Sequence, residues 1–207
     1  MRALVTAHQH LSDDLIKLVV AYDTPQAHRS GQYSVVSVPD VPGKAYFSIA
    51  STAGEQPEMS FLIRLGSTPL DDALRTLKVG DTVHAEPPAG RFVPADDGDH
   101  LLFVAGGTGI APMLAMTRQL VRDGDPRRLG LIYGVRSLSE VGFESELQTL
   151  SQAGVELELQ IGRPITLPEA LDPSGLRIHI CGPKLMIEAL SAQATQQGVE
   201  QVFTEPY

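Results

Sequence analysis

The chain has 207 residues, of which 43% are hydrophobic and 20% charged, and its formal net charge at pH 7 is −9. This composition is typical of a globular protein with one large or two small cores, and the acidity argues against binding to nucleic acid or to an anionic membrane. No apolar run reaches the ~20 residues that cross a bilayer, and the first residues lack the apolar stretch of a signal peptide. The single cysteine excludes an internal disulfide, so we expect a cytoplasmic protein.

The six histidines lack the spacing of a metal site. His8 and His10 alternate along one face of a strand, and neither has a cysteine or carboxylate at a ligand interval. We therefore expect solvated strand residues at these positions and predict no metal site.

The first half of the chain, up to about residue 98, is predicted to form short strands. Its β-branched and aromatic residues are concentrated in separate segments, with glycine and proline between them. Consecutive short strands of this kind favour an antiparallel barrel or sandwich. The predicted strands are 15–22, 32–38, 45–51, 59–65 and 81–87, and a short helix is predicted over 69–77.

The second half, after a polar stretch over 94–100, alternates strands with helices. This alternation predicts a parallel sheet covered by helices. Residues 155–161 alternate strictly between apolar and polar, which is typical of a strand at the sheet edge. We therefore divide the chain into domains at 1–97 and 98–207. The predicted strands are 101–105, 129–134, 155–161, 177–181 and 201–204, and the predicted helices are 110–123, 143–153 and 183–197.

Three glycines, Gly106, Gly107 and Gly109, lie where the first of these strands meets its helix. Without a Cβ they allow backbone N–H groups to approach a phosphate, toward which the helix directs its positive end. Pro112 suits the first turn of that helix. A tight strand-to-helix turn also uses glycine for steric reasons alone, so this stretch by itself leaves both interpretations open.

A second strand, glycine turn and helix begin at Cys181 and Gly182, with Lys184 near the helix start. In a parallel sheet this turn lies at the same edge as the first, and the last strand delivers the carboxyl terminus there as well. A small buried hydrophobe is the ordinary alternative for a lone cysteine. Three segments at one edge nevertheless predict a binding site.

At this point the residues resemble the ferredoxin–NADP reductase superfamily over essentially the whole chain. GGTGIAP (106–112) is similar to its pyrophosphate loop, and CGPKLM (181–186) is similar to the loop beside the nicotinamide. YGVRSLSEVGFESEL (133–147) resembles the next dinucleotide segment, and the final EPY resembles the ending of plant-type members. GQYSVVSVP (31–39), FSIAS (47–51) and VGDTVHAEPPAGRF (79–92) resemble the barrel motifs.

The resemblance implies a flavin-binding antiparallel β-barrel over 1–97 and a Rossmann-like α/β domain over 98–207 that binds NADH or NADPH. It implies FAD as the flavin, and hydride transfer from the nicotinamide to the flavin N5. Ser48 is then expected to hydrogen-bond near N5. Cys181 and Glu205 would frame the nicotinamide, and Tyr207 would stack on the isoalloxazine. The other cofactor-binding residues that the resemblance implies are Tyr46, Phe47, Ile49, Arg64, Gly66, Gly106, Gly107, Thr108, Gly109, Pro112, Arg136, Gly182, Pro183 and Met186. For Arg136, a ribose or 2′-phosphate contact and a solvated role both stay open.

The pattern departs from the family where the flavin phosphates would bind. Ala45 replaces an arginine, Phe47 replaces a tyrosine, and Asp71 stands where the family places a serine or threonine. Phe47 and LIRLGST (62–68) are also similar to flavin reductases, which use flavin as a passing substrate. Each lost charge-assisted bond is worth about 1.5–3 kcal/mol, or roughly ten- to a hundredfold in affinity. We therefore expect weakly held FAD, or a site that also accepts FMN and riboflavin. Candidates to replace the lost contacts are Lys44, Ser67 and Thr68.

The leading hypothesis is an NAD(P)H-dependent flavin oxidoreductase that passes electrons to free flavin, or to a separate ferredoxin or other carrier. One cysteine cannot hold an iron–sulfur cluster, so such an acceptor is expected on another polypeptide. One alternative is a catalytically impaired, reductase-like module that binds a nucleotide or a partner, which Ala45 and Asp71 favour. Another is an electron-transfer subunit of a larger iron–sulfur complex.

Overall fold

The structure is a computed structural model that describes residues 1–24, 26–54 and 57–207. Its first sheet has six antiparallel strands in the order β4-β3-β6-β1-β2-β5. A bridge between Ile49 and Phe61 joins its two edges, so the sheet closes as the predicted barrel. The strands are β1 (Arg2–Ser12), β2 (Leu15–Tyr22), β3 (Tyr33–Ser37), β4 (Ala45–Ser48), β5 (Glu58–Arg64) and β6 (Thr82–Ala85), with helix α1 (Pro69–Thr76) between β5 and β6.

Strand β1 contains the strand expected around His8 and His10 and adds its range to the five ranges predicted for this half. His8 and His10 lie on it, but they are not simply solvated. The Nε2 atom of His8 is 2.9 Å from the carbonyl oxygen of Leu74, and that of His10 is 3.2 Å from the carbonyl oxygen of Arg75. Both rings therefore contact the last turn of α1, whose final carbonyl groups lack partners within the helix.

The second sheet has five parallel strands in the order β11-β10-β7-β8-β9. β9 lies at the edge, as its alternating sequence predicts. β7 is almost continuously apolar because helices cover both faces of the sheet: α2 and α3 pack on one face and α4 on the other. The elements are β7 (His100–Gly106), α2 (Ile110–Asp123), β8 (Arg128–Val135), α3 (Glu144–Gln152), β9 (Glu156–Ile161), β10 (Leu176–Gly182), α4 (Lys184–Gln196) and β11 (Gln201–Pro206).

Hydrophobic contacts join the barrel to the parallel sheet. One buried cluster contains Leu15 and Leu62 from the barrel together with Phe103 and Met116 from the second half. The segment between the sheets is held by His179 of β10, whose Nε2 accepts a hydrogen bond from the Ala95 N–H at 3.2 Å. These contacts hold the barrel against the parallel sheet. In the described part of the chain, none of the helices combines the length and the apolar run that crossing a bilayer requires.

Candidate functional site

The loops that follow β7 and β10 meet at the carboxyl edge of the parallel sheet. Cys181 is in register with Ala105 on one side and with Glu205 on the other. Gly109 lies so close to Cys181 that an added Cβ would fall 2.3 Å from its carbonyl oxygen. The structure thus brings together the three segments that the sequence assigns to one edge, and Gly109 allows the contact.

Tyr207 lies across the glycine loop. Its hydroxyl donates to the carbonyl oxygen of Gly106 at 2.8 Å, and its N–H donates to that of Gly182 at 3.4 Å. A Cβ on Gly107, whose φ is +52°, would fall 2.9 Å from the Tyr207 hydroxyl. Burial raises the pKa of Tyr207, although a hydrogen bond with Thr108 opposes the shift. Four of the residues named from the sequence therefore contact the carboxy-terminal side chain or its backbone.

Burial favours the uncharged forms of Cys181 and Glu205. It raises the pKa of the Cys181 thiol to about 12, with the charge of Glu205 adding to the shift. Cys181 is only 1% exposed, as the ordinary alternative for a lone cysteine requires. Burial also raises the pKa of Glu205. Cys181 and Glu205 therefore form a weakly polar surface beside the loops. Such a surface suits an uncharged ring more than a phosphate.

A cleft of about 620 Å³ opens beside the two loops. Met186 of α4 lies over the loops: a Cβ on Gly106 would fall 2.5 Å from its Sδ, and a Cβ on Gly182 would fall 2.3 Å from its Cε. Gly134, which the sequence analysis did not name, lines the same cleft. Its position at the carboxyl end of β8 is the signal that identifies it. The missing Cβ atoms at these glycines therefore let the side chains of Met186 and Ile165 pack closely on the backbone beside the cleft.

The N-termini of α2 and α4 begin at these loops, and a 3-10 turn over Gly107–Gly109 leads directly into α2. Gly109 precedes α2 and Pro183 precedes α4, and neither helix has a side-chain cap. Pro112 is buried in the first turn of α2. Uncapped helix N-termini next to side-chain-free loops are suited to a diphosphate. The residues at this end of the site therefore fit a nicotinamide dinucleotide.

An ion-pair network connects the barrel to the cleft. Arg64 lies 2.7 Å from a carboxylate oxygen of Asp14 and 3.0 Å from one of Glu140, and Arg136 lies 2.7 Å from Glu140. Hydrogen bonding from Arg64 lowers the pKa of Asp14. Both arginines named from the sequence are therefore held by carboxylates that the sequence analysis missed. Arg136 and Glu140 are only four residues apart, but Asp14 and Arg64 are distant in sequence from them and from each other, so only the three-dimensional fold reveals the whole network.

The barrel residues named for the flavin ring divide into two groups. Phe47 packs on the barrel core at 6.4 Å from the Phe61 ring, and Ile49 is fully buried. Tyr46 is 65% exposed and Ser48 is half-buried. Tyr46 and Tyr207 are the aromatic residues among the exposed large apolar side chains of the described residues. Exposed rings of this kind offer faces for stacking on a planar heterocycle.

In the barrel, the residues expected to bind the flavin phosphates are poorly suited to that role. Lys44, considered as a substitute for the missing arginine, is paired with Glu86 at 3.1 Å. Thr68, another substitute, caps α1 with its hydroxyl. Asp71 places its carboxylate at the start of the same helix, within 3.0 Å of the Thr68 N–H. Of the three substitutes suggested from the sequence, Lys44 and Thr68 are thus engaged elsewhere, and a carboxylate occupies the helix terminus.

Comparison with known proteins adds independent information. Residues 103–162 match the family model described as "Oxidoreductase NAD-binding domain". The chain is 34% identical over 168 residues to methane monooxygenase component C of Methylosinus trichosporium, covering 77% of this chain and 49% of that protein. It is 30% identical over 210 residues to the reductase component of phenol 2-monooxygenase of Pseudomonas sp. (strain CF600), covering 91% of this chain and 59% of that protein. The chain therefore spans about half to three-fifths of these two relatives.

Among solved structures, a ferredoxin NADP+ reductase from Neisseria gonorrhoeae with bound FAD and NADP superposes with a TM-score of 0.87. It shares 20% identity, and the match covers 100% of this chain and 98% of that one. Phthalate dioxygenase reductase superposes with a TM-score of 0.84 at 20% identity, covering 100% of this chain and 67% of that one. Together, these matches show that the chain contains an NAD-binding oxidoreductase domain and has the two-sheet fold of a ferredoxin NADP+ reductase.

Proposed function

We propose that this chain takes a hydride from NADH or NADPH, delivers it to a flavin, and supplies the electrons to a separate protein. The observation that carries the proposal is that Cys181, Glu205 and Tyr207 lie at one edge of the parallel sheet, next to the glycine loop that precedes α2. A nicotinamide and a flavin supply the redox chemistry when they are bound there. The protein contributes binding and orientation.

The loop Gly106–Gly109 and the N-terminus of α2 hold the dinucleotide diphosphate. Cys181, which is buried, and Glu205, which is half-buried, stand beside the place for the nicotinamide. Tyr207 covers the loop through its bond to Gly106. Ser48, at the end of β4, offers a hydroxyl to the flavin ring from the barrel side.

The domain limits of 1–97 and 98–207 remain part of this proposal, with the cleft between them. So does a cytoplasmic location, supported by the single cysteine. The relatives include proteins named as reductase or electron-transfer components of monooxygenases and dioxygenases. By analogy, we propose an oxygenase or a ferredoxin-type protein as the electron acceptor. With one cysteine in the chain, an iron–sulfur acceptor would lie outside these 207 residues.

Nicotinamide oxidation tests the proposal directly. NADH or NADPH is mixed with the protein and with FAD, FMN or riboflavin, and the loss of nicotinamide absorbance is followed. We expect oxidation that depends on both the protein and the flavin. No oxidation with any pairing would favour the alternative of a binding module without turnover.

Glu205→Gln provides a matched check of the site. It keeps the side-chain shape but removes an ionisable group beside Cys181, so we expect turnover to fall by at least about tenfold. Glu200→Gln, at an exposed position just before the same strand, should leave turnover unchanged. Equal activity in both variants would contradict the role given to Glu205.

A further inference from the structure

The first turn of α1 is closed by a carboxylate from the same chain. The Oδ2 atom of Asp71 accepts from the Thr68 N–H at 3.0 Å and from the Thr68 hydroxyl at 2.6 Å. In return, the Asp71 N–H donates to the Thr68 hydroxyl at 3.2 Å. A Cβ on Gly66 would fall 3.1 Å from the same Oδ2, so this oxygen also lies against the backbone that enters the helix.

Hydrogen bonds stabilise the charged form of this carboxylate. Burial alone would raise the pKa of Asp71, but donors on Thr68 and Gly66 more than offset it and lower the pKa. The helix N-terminus therefore already holds one negative charge. A phosphate arriving there would have to displace that carboxylate or lie beside it, and like charges at that distance repel.

This helix terminus lies next to the loop before β4, the strand that carries the residues proposed for the flavin ring. α1 follows β5, whose last residue is Arg64, in the wall of the cleft. Gly43, just before β4, would place a Cβ 3.8 Å from the Cβ of Leu70 in α1. The loop that leads to Ala45, Tyr46 and Ser48 therefore packs directly against the start of the helix.

The neighbouring cations are also engaged. Lys44 is paired with Glu86 at 3.1 Å, and Arg75 with Asp72 at 2.7 Å. Arg64 is held by Asp14 and Glu140. A flavin phosphate would thus meet an occupied helix terminus and side chains whose charge is already balanced.

We propose that Asp71 acts as a built-in substitute for a flavin phosphate, so that the protein recognises flavin by its ring system and takes riboflavin, FMN and FAD as exchangeable substrates. This inference rests on the proposed flavin reduction and specifies its substrate class. The start of α1 already holds the Asp71 carboxylate, and Lys44, Arg64 and Arg75 are already paired. We therefore expect the dissociation constants of the three flavins to lie within about fivefold of one another. A single productive phosphate contact would separate them by tenfold or more.

The test measures binding separately from turnover, by titrating each flavin and following its fluorescence. In the unaltered protein we expect similar affinities for the three flavins. Asp71→Ser removes the carboxylate from the N-terminus of α1. We therefore expect FAD and FMN to bind about tenfold more tightly, while the affinity for riboflavin stays unchanged. Asp71→Asn, which keeps an acceptor for the Thr68 N–H without the charge, should give a smaller gain.

Asp40→Asn is the control, because it removes one negative charge from the exposed loop before β4 and leaves Asp71 in place. Asparagine tolerates the positive φ of 62° at this position. Its flavin affinities should match those of the unaltered protein. An equal gain for riboflavin in Asp71→Ser, or an equal gain in Asp40→Asn, would overturn the role of Asp71.

The outcomes also separate this inference from the proposed function. FAD binding tenfold or more tighter than riboflavin in the unaltered protein would overturn the inference, while nicotinamide oxidation would still support the function. Failure of all three flavins both to bind and to support oxidation would overturn both.

Discussion

The hydroxyl of Tyr207 donates to the carbonyl oxygen of Gly106 at 2.8 Å, across 101 residues of chain. This bond fastens the last residue onto the loop that follows β7. Tyr207 is nevertheless 60% exposed, so its ring forms part of the wall of the site rather than part of the core. The thiol of Cys181 lies close enough for the ionisations of the two groups to influence each other.

Removal of the Tyr207 ring should make Cys181 more reactive. In the unaltered protein the thiol is 1% exposed and burial raises its pKa to about 12, so alkylation at mildly alkaline pH should be slow. In Tyr207→Ala we expect the rate to rise severalfold because water and reagent reach the loop. The rate is measured by mass spectrometry after timed exposure to iodoacetamide.

Tyr207→Phe is the matched control for this experiment. It loses the bond to Gly106 but retains the ring, and the rate should stay close to that of the unaltered protein. Equal rates in the alanine and phenylalanine variants would show that the ring does not protect the thiol.

The alternation of strands and helices in the second half could be predicted because each element has its own local pattern of apolar residues. Continuous apolar runs mark buried parallel strands, and the strict alternation of 155–161 marks the edge strand β9. In the barrel, β1 lacks this clarity because register shifts between Val5 and Ala7 and between His10 and Ser12 interrupt its pairing with β2. Irregular pairing of this kind disturbs the period of two on which strand prediction depends.

In the site, the glycine loops were predictable, but the partners of Arg64 were not. Arg64 finds Asp14 and Glu140 at separations of 50 and 76 residues, so no spacing rule predicts those contacts. The cap at α1 is different. Thr68 and Asp71 stand three residues apart, and a threonine followed at that interval by an acidic residue is a local capping signal. The effect of this cap on a flavin phosphate could be inferred only from the three-dimensional fold.

Gly107→Ala should weaken nucleotide binding more than it weakens the fold. The left-handed φ of +52° makes any side chain there costly by about 1 kcal/mol, and the new methyl group would also press against the Tyr207 hydroxyl. We expect at least a tenfold rise in the Kd for NADH and NADPH, measured by titration.

Gly124→Ala is the control, because Gly124 also has a positive φ of +68° but no atom within 4 Å of an added Cβ. It should cost a similar amount of unfolding free energy in a denaturant titration without changing nucleotide affinity. A similar loss of affinity in both variants would mean that backbone strain, and not the loop contact, controls binding.

Glu140→Gln should shift the enzyme toward NADPH. The guanidinium of Arg136, at the cleft, lies 2.7 Å from a carboxylate oxygen of Glu140 and 3.7 Å from one of Asp14. Glu140 is the nearer partner and therefore competes most strongly with a 2′-phosphate. Without the carboxylate, one charge-assisted bond becomes available, and the ratio of kcat/KM for NADPH to that for NADH should rise about tenfold.

Glu156→Gln removes the same charge from a carboxylate paired with Arg128, on the same sheet but outside the cleft. Its nucleotide preference should equal that of the unaltered protein. If Glu140→Gln gave an unchanged ratio, Arg136 would have no part in choosing the nucleotide.

His179 should make the fold sensitive to mild acid. Burial lowers its pKa from 6.5 to about 4, and its ring stacks on Phe203 at 4.7 Å while its Nε2 accepts from the Ala95 N–H. A group whose folded pKa lies below its unfolded value contributes stability that is fully present above pH 6.5 and is lost as the pH falls toward 4. The shift corresponds to about 3 kcal/mol of unfolding free energy.

Denaturant titrations between pH 7 and pH 4 measure this loss. His179→Gln keeps an acceptor for Ala95 but does not titrate, so its stability should start lower and decline less steeply over that range than the stability of the unaltered protein. His84→Gln, at an exposed position of β6, should follow the unaltered slope. If His179→Gln declined as steeply as the unaltered protein, the acid sensitivity over this range would have to come from another group, such as His100, whose pKa is also lowered by burial.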